Sequence, residues 1–355
     1  LAAERIDTAV EVAESLWLPE TLSQALNTQG LIASFNGRSE QSLALFKHAL
    51  ELALEHDLGA ASLRAYNNIA DQLERRDRYE DAIEMSRRGL GLARKTGDRT
   101  MEWYLLGELG ICFLRTGRWD EALQVAGEVP EHGYAEFGLG VGTTQIEIAV
   151  ARGDTAEGRR VLSLLAHYRT SADVQDRSAY HVLDATLSRA TGRYEEALAA
   201  SEEALASLEL LGFGISGDAK VSLGEGLESA LELGRLDKVE ELLARIDAIP
   251  IGKRPPLLRA QSARFRARLA AAKGVTEGVE QGFKTAAATF REYRLTFFLA
   301  ATELEHGEWL VGQGRADEAR PLLDEAREIF ERLEAAPWLE RCDRLAPARA
   351  ETASV

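Results

Sequence analysis

The sequence predicts an all-α solenoid of about eight helix-turn-helix repeats with a period near forty residues. Three observations carry this: a turn that recurs at near-constant spacing, helical spacing of apolar residues on both sides of it, and small residues at two fixed distances from it. The turns are Gly37-Arg38, Asp77-Arg78, Gly117-Arg118, Gly153-Asp154, Gly192-Arg193, Gly234-Arg235, Gly274-Val275 and Gly314-Arg315, spaced by 40, 40, 36, 39, 42, 40 and 40 residues. Such a period marks stacked supersecondary units, each unable to bury its apolar face alone. No run of alternating polar and apolar residues is long enough for a sheet.

Taken in chain order, residues 2–17 have helical spacing through Ile6, Val10, Val12 and Leu16, and 1–20 is assigned as a separate N-terminal helix, the remnant of an upstream repeat or a cap. Residues 21–335 form the array. Five residues after the successive turns stand Ser42, Ala82, Ala122, Gly158, Ala197, Val239, Val279 and Ala319, small or β-branched in every unit. Seven residues before them stand Gly30, Ala70, Gly110, Ile146, Ala185, Leu227, Ala267 and Gly307, six of the eight small. Two helices that meet at small residues bring their axes close, so these positions read as the crossing of each hairpin. Apolar residues follow the first turn at Leu43, Phe46, Leu50 and Ala53, and the last at Leu322, Leu323, Ala326, Phe330 and Leu333. Glycine at the turn supplies the positive φ of a helix C-terminus, and Glu40, Glu80, Glu121, Glu195 and Glu318 place a carboxylate near the exposed N–H groups of the next helix. Residues 336–355 read as a short capping helix, through Trp338, Leu339 and Leu345, with a polar tail.

Three stretches depart from the pattern. Val129-Pro130-Glu131-His132-Gly133 runs into Gly138, Gly140 and Gly142, and a second cluster holds Gly212, Gly214, Gly217, Gly224 and Gly226. Each glycine in a helix costs about 1 kcal/mol relative to alanine, so the first helices of units four and six are expected to be weak. Either helices approach closely there or a ligand presses on bare backbone. Ile249-Pro250-Ile251-Gly252-Lys253-Arg254-Pro255-Pro256 is a basic, proline-rich link, read as a surface loop or a hinge.

The run Leu106-x-x-Leu109-Gly110-x-x-Phe113-x-x-x-Gly117-x-Trp119-x-Glu121-Ala122 resembles the tetratricopeptide repeat, and Tyr79-Glu80-Asp81-Ala82 and Gly192-Arg193-Tyr194-Glu195-Glu196-Ala197 are similar to its second half. The resemblance covers roughly residues 20–335 and implies a right-handed superhelix with the first helix of each hairpin on the concave face. The usual repeat is about 34 residues, so one extra helical turn per unit is expected to change the usual pitch. The segment 330–341 is similar to the ends of repeat regions in bacterial signalling ATPases, LuxR-type activators and multidomain adenylate or guanylate cyclases.

A formal charge of −16, from 42 basic against 58 acidic residues, opposes binding to phosphate backbones or anionic lipid, so neither nucleic acid nor membrane is expected as a partner. No apolar run reaches 18 residues. Cys112 and Cys342 are distant and form no C-x-x-C, which fits a reducing, cytoplasmic setting. The chain starts Leu1-Ala2-Ala3-Glu4-Arg5, with neither signal-peptide pattern nor initiator methionine, and reads as a fragment.

No enzyme is expected and no cofactor or metal. Gly212-Phe213-Gly214-Ile215-Ser216-Gly217 matches G-x-G-x-x-G, but helical residues precede it where a dinucleotide site needs a strand. There is no P-loop, H-E-x-x-H or G-x-S-x-G, and His48 and His56 lie two helical turns apart, about 12 Å.

The resemblance places partner-facing positions 13, 10, 6 and 3 residues before each turn. These give Gln24, Asn27, Arg64, Asn67, Asp71 and Tyr104 as the candidate peptide-binding residues. Asn27 and Asn67 share one offset, so their amides are expected side by side, able to pair with both N–H and C=O of an extended chain, with Arg64 ready for a carboxylate. Farther along, Val150, Val182, Val221 and Leu231 suggest an apolar recess suited to a small molecule. The leading reading is a non-catalytic interaction scaffold, a regulatory C-terminal part of a larger bacterial signalling protein that binds a peptide or partner domain. A small-molecule inducer site and a homodimerisation module are the alternatives.

Overall fold

The computed structural model describes residues 2–210 and 216–345. Its ordered elements are helices, and among the described residues there is no strand. Helix α1 (Ala2–Ser15) leads into eight hairpins. These are α2 (Pro19–Phe35) with α3 (Ser39–Glu55), α4 (Gly59–Arg75) with α5 (Tyr79–Thr96), α6 (Arg99–Arg115) with α7 (Trp119–Ala126), and α8 (Tyr134–Arg152) with α9 (Thr155–Leu164). Then come α10 (Val174–Ala190) with α11 (Tyr194–Leu210), α12 (Gly217–Glu232) with α13 (Leu236–Ala248), α14 (Pro256–Ala272) with α15 (Val279–Glu292), and α16 (Thr296–Gly312) with α17 (Ala316–Leu333). Helix α18 (Ala336–Arg344) closes the array. The motif at 212–217 lies for its residues 212–215 outside the described residues.

The recurring turn has one geometry. All eight turn residues take a positive φ, from +59° at Asp77 to +89° at Gly153. In all eight turns the next residue donates its N–H five residues back, as Arg38 does to Ala33 at 2.9 Å and Arg118 to Phe113 at 2.8 Å. This satisfies carbonyls that a helix end leaves open. A second set of positive-φ residues lies in the connections between hairpins, at Asp57, Gly97 and Arg294, and in those to the terminal helices α1 and α18, at Trp17 and Glu334. At the N-terminal end the two sets alternate every twenty residues, at 17, 37, 57, 77, 97 and 117, and again at 274, 294, 314 and 334. The forty-residue period is therefore two matched halves, a helix of about 17 residues plus a connection. The shorter α7 and α9, followed by 3-10 turns at Glu131–Gly133 and Ala166–Thr170, account for the spacings of 36 and 39.

The sixteen small or apolar positions that flank the turns are buried in every unit. At Gly30 a Cβ would stand 2.5 Å from the Phe46 ring, and at Gly307 it would stand 2.5 Å from Leu323. Phe46 is fully buried and has nowhere to withdraw. Gly30→Ala is expected to destabilise by about 1–3 kcal/mol despite alanine's better helix propensity, read as a lower thermal midpoint. One continuous core runs from Leu43 to Cys342, and Trp338 of α18 stacks on Phe330 with centroids 5.4 Å apart.

The solenoid winds tightly enough to touch itself. The Asp77 carboxylate accepts the N–H of Leu257, and the Thr116 carbonyl accepts the hydroxyl of Thr296, each 180 residues away. The Leu333 carbonyl accepts Nε of Arg152, 181 residues away. One superhelical turn thus takes about 180 residues, four and a half units of forty. Turns of the early hairpins dock on connections of the late ones, and a seam closes the coil.

Candidate functional site

The seam is built around a buried lysine. Lys220 of α12 donates to the Glu74 carbonyl at 3.0 Å, to Glu74 Oε1 at 3.1 Å and to Asp77 Oδ1 at 2.8 Å. All three of its protons are thereby spent. Burial alone would lower its pKa, but Asp77 and Glu74 outweigh burial and hold it above the ordinary lysine value. Asp77 also accepts from Tyr79 Oη at 3.0 Å and from the Leu257 N–H at 2.6 Å. These bonds explain why the second turn alone carries aspartate where the others carry glycine. Aspartate tolerates the left-handed conformation, and here its carboxylate joins two superhelical turns. Beside it, burial and the Glu74 and Asp71 carboxylates raise Glu108 to about 8, and burial with Glu74 raises Asp218 to about 6.

From the seam onward the inner helices are linked by arginine–glutamate rungs. Arg115 of α6 grips Glu147 of α8 at 2.5 and 2.8 Å. Arg189 of α10 grips Glu225 of α12, and Arg264 of α14 spans Glu228 of α12 at 2.7 Å and Glu305 of α16 at 2.6 Å. Arg341 of α18 holds Glu308 of α16 at 2.6 Å. Bidentate guanidinium–carboxylate geometry suits such buried pairs, where an unpaired charge would be costly. Burial would raise Glu228, but Arg268, Arg264 and Arg189 overcome it and keep the carboxyl well below the ordinary range.

These rungs wall a cavity of about 410 Å³ in the lumen. Its apolar end is formed by Trp119, Phe297, Phe298 and Trp338, and Lys220 and Leu257 of the seam also line it. Val150 and Val221 line it as the sequence suggests, while Val182 is buried away from it. The recess is not the mainly apolar one expected: charged rungs make up much of its wall. They have no single offset from the turn, since Arg115, Arg189 and Arg264 lie 2, 3 and 10 residues before theirs. A signal did exist six residues before the turn, where Asp71, Glu147, Glu228, Arg268 and Glu308 are all charged.

Glycines in the two rich segments divide by cause. Gly107 and Gly140 let α6 and α8 approach, a Cβ on either lying within 3.5 Å of the other's backbone. Gly142 and Gly226 would meet Leu165 and Leu242 at 2.4 and 3.2 Å. Gly224 differs: it lines the cavity, and a Cβ there would meet nothing within 4 Å.

The six candidate residues on the N-terminal inner face bond largely with neighbours. Arg64 donates to Gln24 at 2.6 Å, and Asp71 accepts from Arg75 at 3.1 Å. Asn27 is fully buried and its Oδ1 accepts from Asn68 at 2.9 Å, so its amide does not project into the groove beside that of Asn67 as expected. Asn67 is partly exposed and Tyr104 is 50% exposed.

Residues 61–129 match the tetratricopeptide repeat family model. The chain is a tetratricopeptide-like solenoid. Among solved structures it is similar to a Rap protein complexed with competence and sporulation factor, at 15% identity over 93% of this chain and 99% of that one, with a TM-score of 0.53. It is also similar to a signal transduction ATPase with numerous domains and a tetratricopeptide repeat sensor from Pyrococcus horikoshii, at 14% identity over 87% and 54%, TM-score 0.48. A tetratricopeptide repeat protein from Parabacteroides merdae matches at 14% identity over 79% and 98%, TM-score 0.41. No curated protein matches the sequence. Among the described residues of this tetratricopeptide-like solenoid, no helix is long and apolar enough to cross a membrane, and no group of three or more His, Cys, Asp or Glu is placed to hold a metal ion.

Proposed function

We propose that this solenoid is a non-catalytic sensory scaffold, the regulatory part of a larger signalling protein, in which a small ligand settles in the lumen while the outer helices meet a protein partner. The observation that carries this reading is the cavity bounded by both superhelical turns. Its volume falls in the range of small-molecule sites, and the seam narrows the route an extended peptide or a domain would need. The Rap protein's complex with its factor supports binding as the role of such a fold.

Gly224 supplies the test. Gly224→Ala is expected to stabilise the free protein by about 1 kcal/mol, because the helix gains propensity and nothing clashes. Gly224→Leu fills the lumen and is expected to abolish the melting-temperature increase that a bound metabolite gives the parent. If ligands found by thermal shift with the parent stabilise Gly224→Leu equally, the lumen is not their site.

A second reading rests on the exposure of Tyr104 and Asn67 at the N-terminal inner face, where a peptide could lie across α4 and α6. A pull-down in which the double variant Asn67→Ala, Tyr104→Ala recovers the same partners as the parent would remove it.

A further inference from the structure

The hydrogen-bonding groups of the lumen specify more than its size. Rung carboxylates are already committed to wall cations: Glu147 to Arg115, Glu225 to Arg189, and Glu228 to Arg264 and Arg268. What remains unspent is a set of donors. Nε of Arg115 and Nη1 of Arg189 and of Arg341 make no hydrogen bond among the described residues, because each guanidinium uses its other nitrogens on its own glutamate. Gln261, 4% exposed, accepts from Arg264 Nη1 at 3.2 Å through Oε1, and its Nε2 donor has no partner among the described residues. All four residues line the cavity.

Donors that a bound ligand would seal from water call for acceptors. A cationic ligand would bring further donors to walls whose rung carboxylates are taken, and Glu232, the lining carboxylate outside the rungs, is exposed to water. An anionic one would lose its hydration without meeting an uncompensated positive charge. The aromatic end, where Phe297 lies 5.5 Å from Trp119 and edge-on to Trp338 at 5.2 Å, offers an apolar seat.

On the reading of the lumen as a ligand site, we propose that its ligand is a net-neutral small molecule, rich in carbonyl or ether oxygens and poor in donors, with a ring or short alkyl part seated at the Phe297–Trp338 end.

Four probes of matched size test this on the 355-residue chain by titration followed by NMR: methyl phenylacetate, phenylacetate, phenethylamine and propylbenzene. The ester, neutral and acceptor-only, is expected to bind at least about tenfold more tightly than each of the others, the effect expected when buried donors gain or lack a partner. Gln261→Leu is expected to narrow that margin, and Gly224→Leu to abolish ester binding. Tightest binding by the anion, the amine or the hydrocarbon, with loss in Gly224→Leu, overturns the ligand class and leaves the lumen site standing. Ester binding that survives Gly224→Leu overturns the lumen site itself. No binding by any probe at millimolar concentration overturns the proposal.

Discussion

Replacing Lys220 by methionine is expected to lower stability by about 3–5 kcal/mol and to part the two superhelical turns, because it leaves the buried Glu74 and Asp77 carboxylates without their common cation. Methionine keeps most of the side-chain volume, so lost packing contributes little. Solenoid stability is approximately a sum of unit and interface terms, and this seam interface joins units separated by about 146 residues, which no nearest-neighbour contact replaces. Urea denaturation should show the lower stability, and small-angle scattering a larger radius of gyration. Arg78→Met, which removes an exposed pair with Asp81, is the control and should change stability by under about 1 kcal/mol. A Lys220→Met protein with the parent's denaturation midpoint and radius would mean that the seam does not hold the coil.

Glu108→Gln is expected to remove most of the pH dependence of the same region. The folded pKa of Glu108, about 8, lies above its ordinary value of 4.5 because burial and then Glu74 and Asp71 oppose ionisation, with Arg75 and the Cys112 thiol only partly offsetting them. The folded chain therefore holds a proton that the unfolded chain releases. Its stabilising contribution is complete below pH 4.5 and is lost as pH rises through about 8. Asp218, raised to about 6, adds a narrower loss of the same sign. The parent should lose stability between pH 5 and 8, opposite to the usual trend for paired carboxylates. Glutamine stays neutral, so the variant should match the parent near pH 5 and exceed it at pH 8 by an amount on the order of a few kcal/mol. Melting temperatures at the two pH values check this. A parallel fall in both proteins would place the titration elsewhere.

The repeat was legible because each turn needs a residue that tolerates positive φ, and glycine announces that need in the sequence. The connecting turns at Trp17, Asp57, Arg294 and Glu334 use the same backbone conformation without glycine, so the twenty-residue half-period stayed hidden. Gly30 and Gly307 were readable as crossing points because bulk is excluded there by the partner within the hairpin. The candidate site was less legible. Offsets borrowed from a 34-residue repeat put the amides of Asn27 and Asn67 side by side on the groove, whereas Asn27 is fully buried and bonds Asn68. Val150 and Val221 were found by their apolar character, but arginines at unequal offsets carry no periodic signal, and pairing with the next unit's glutamate is a property of two helices together.

Local requirements were written in the sequence itself: helix length, turn chemistry, the small residues at each crossing, and hence an all-α array of eight hairpins. Each depends on residues at most about forty positions apart. Only the tertiary structure decided how tightly the array winds, because a small rotation at each interface accumulates over four and a half units before residues 180 apart meet. That accumulated angle places Asp77 against Leu257 and Lys220, and it turns a concave face into a walled lumen.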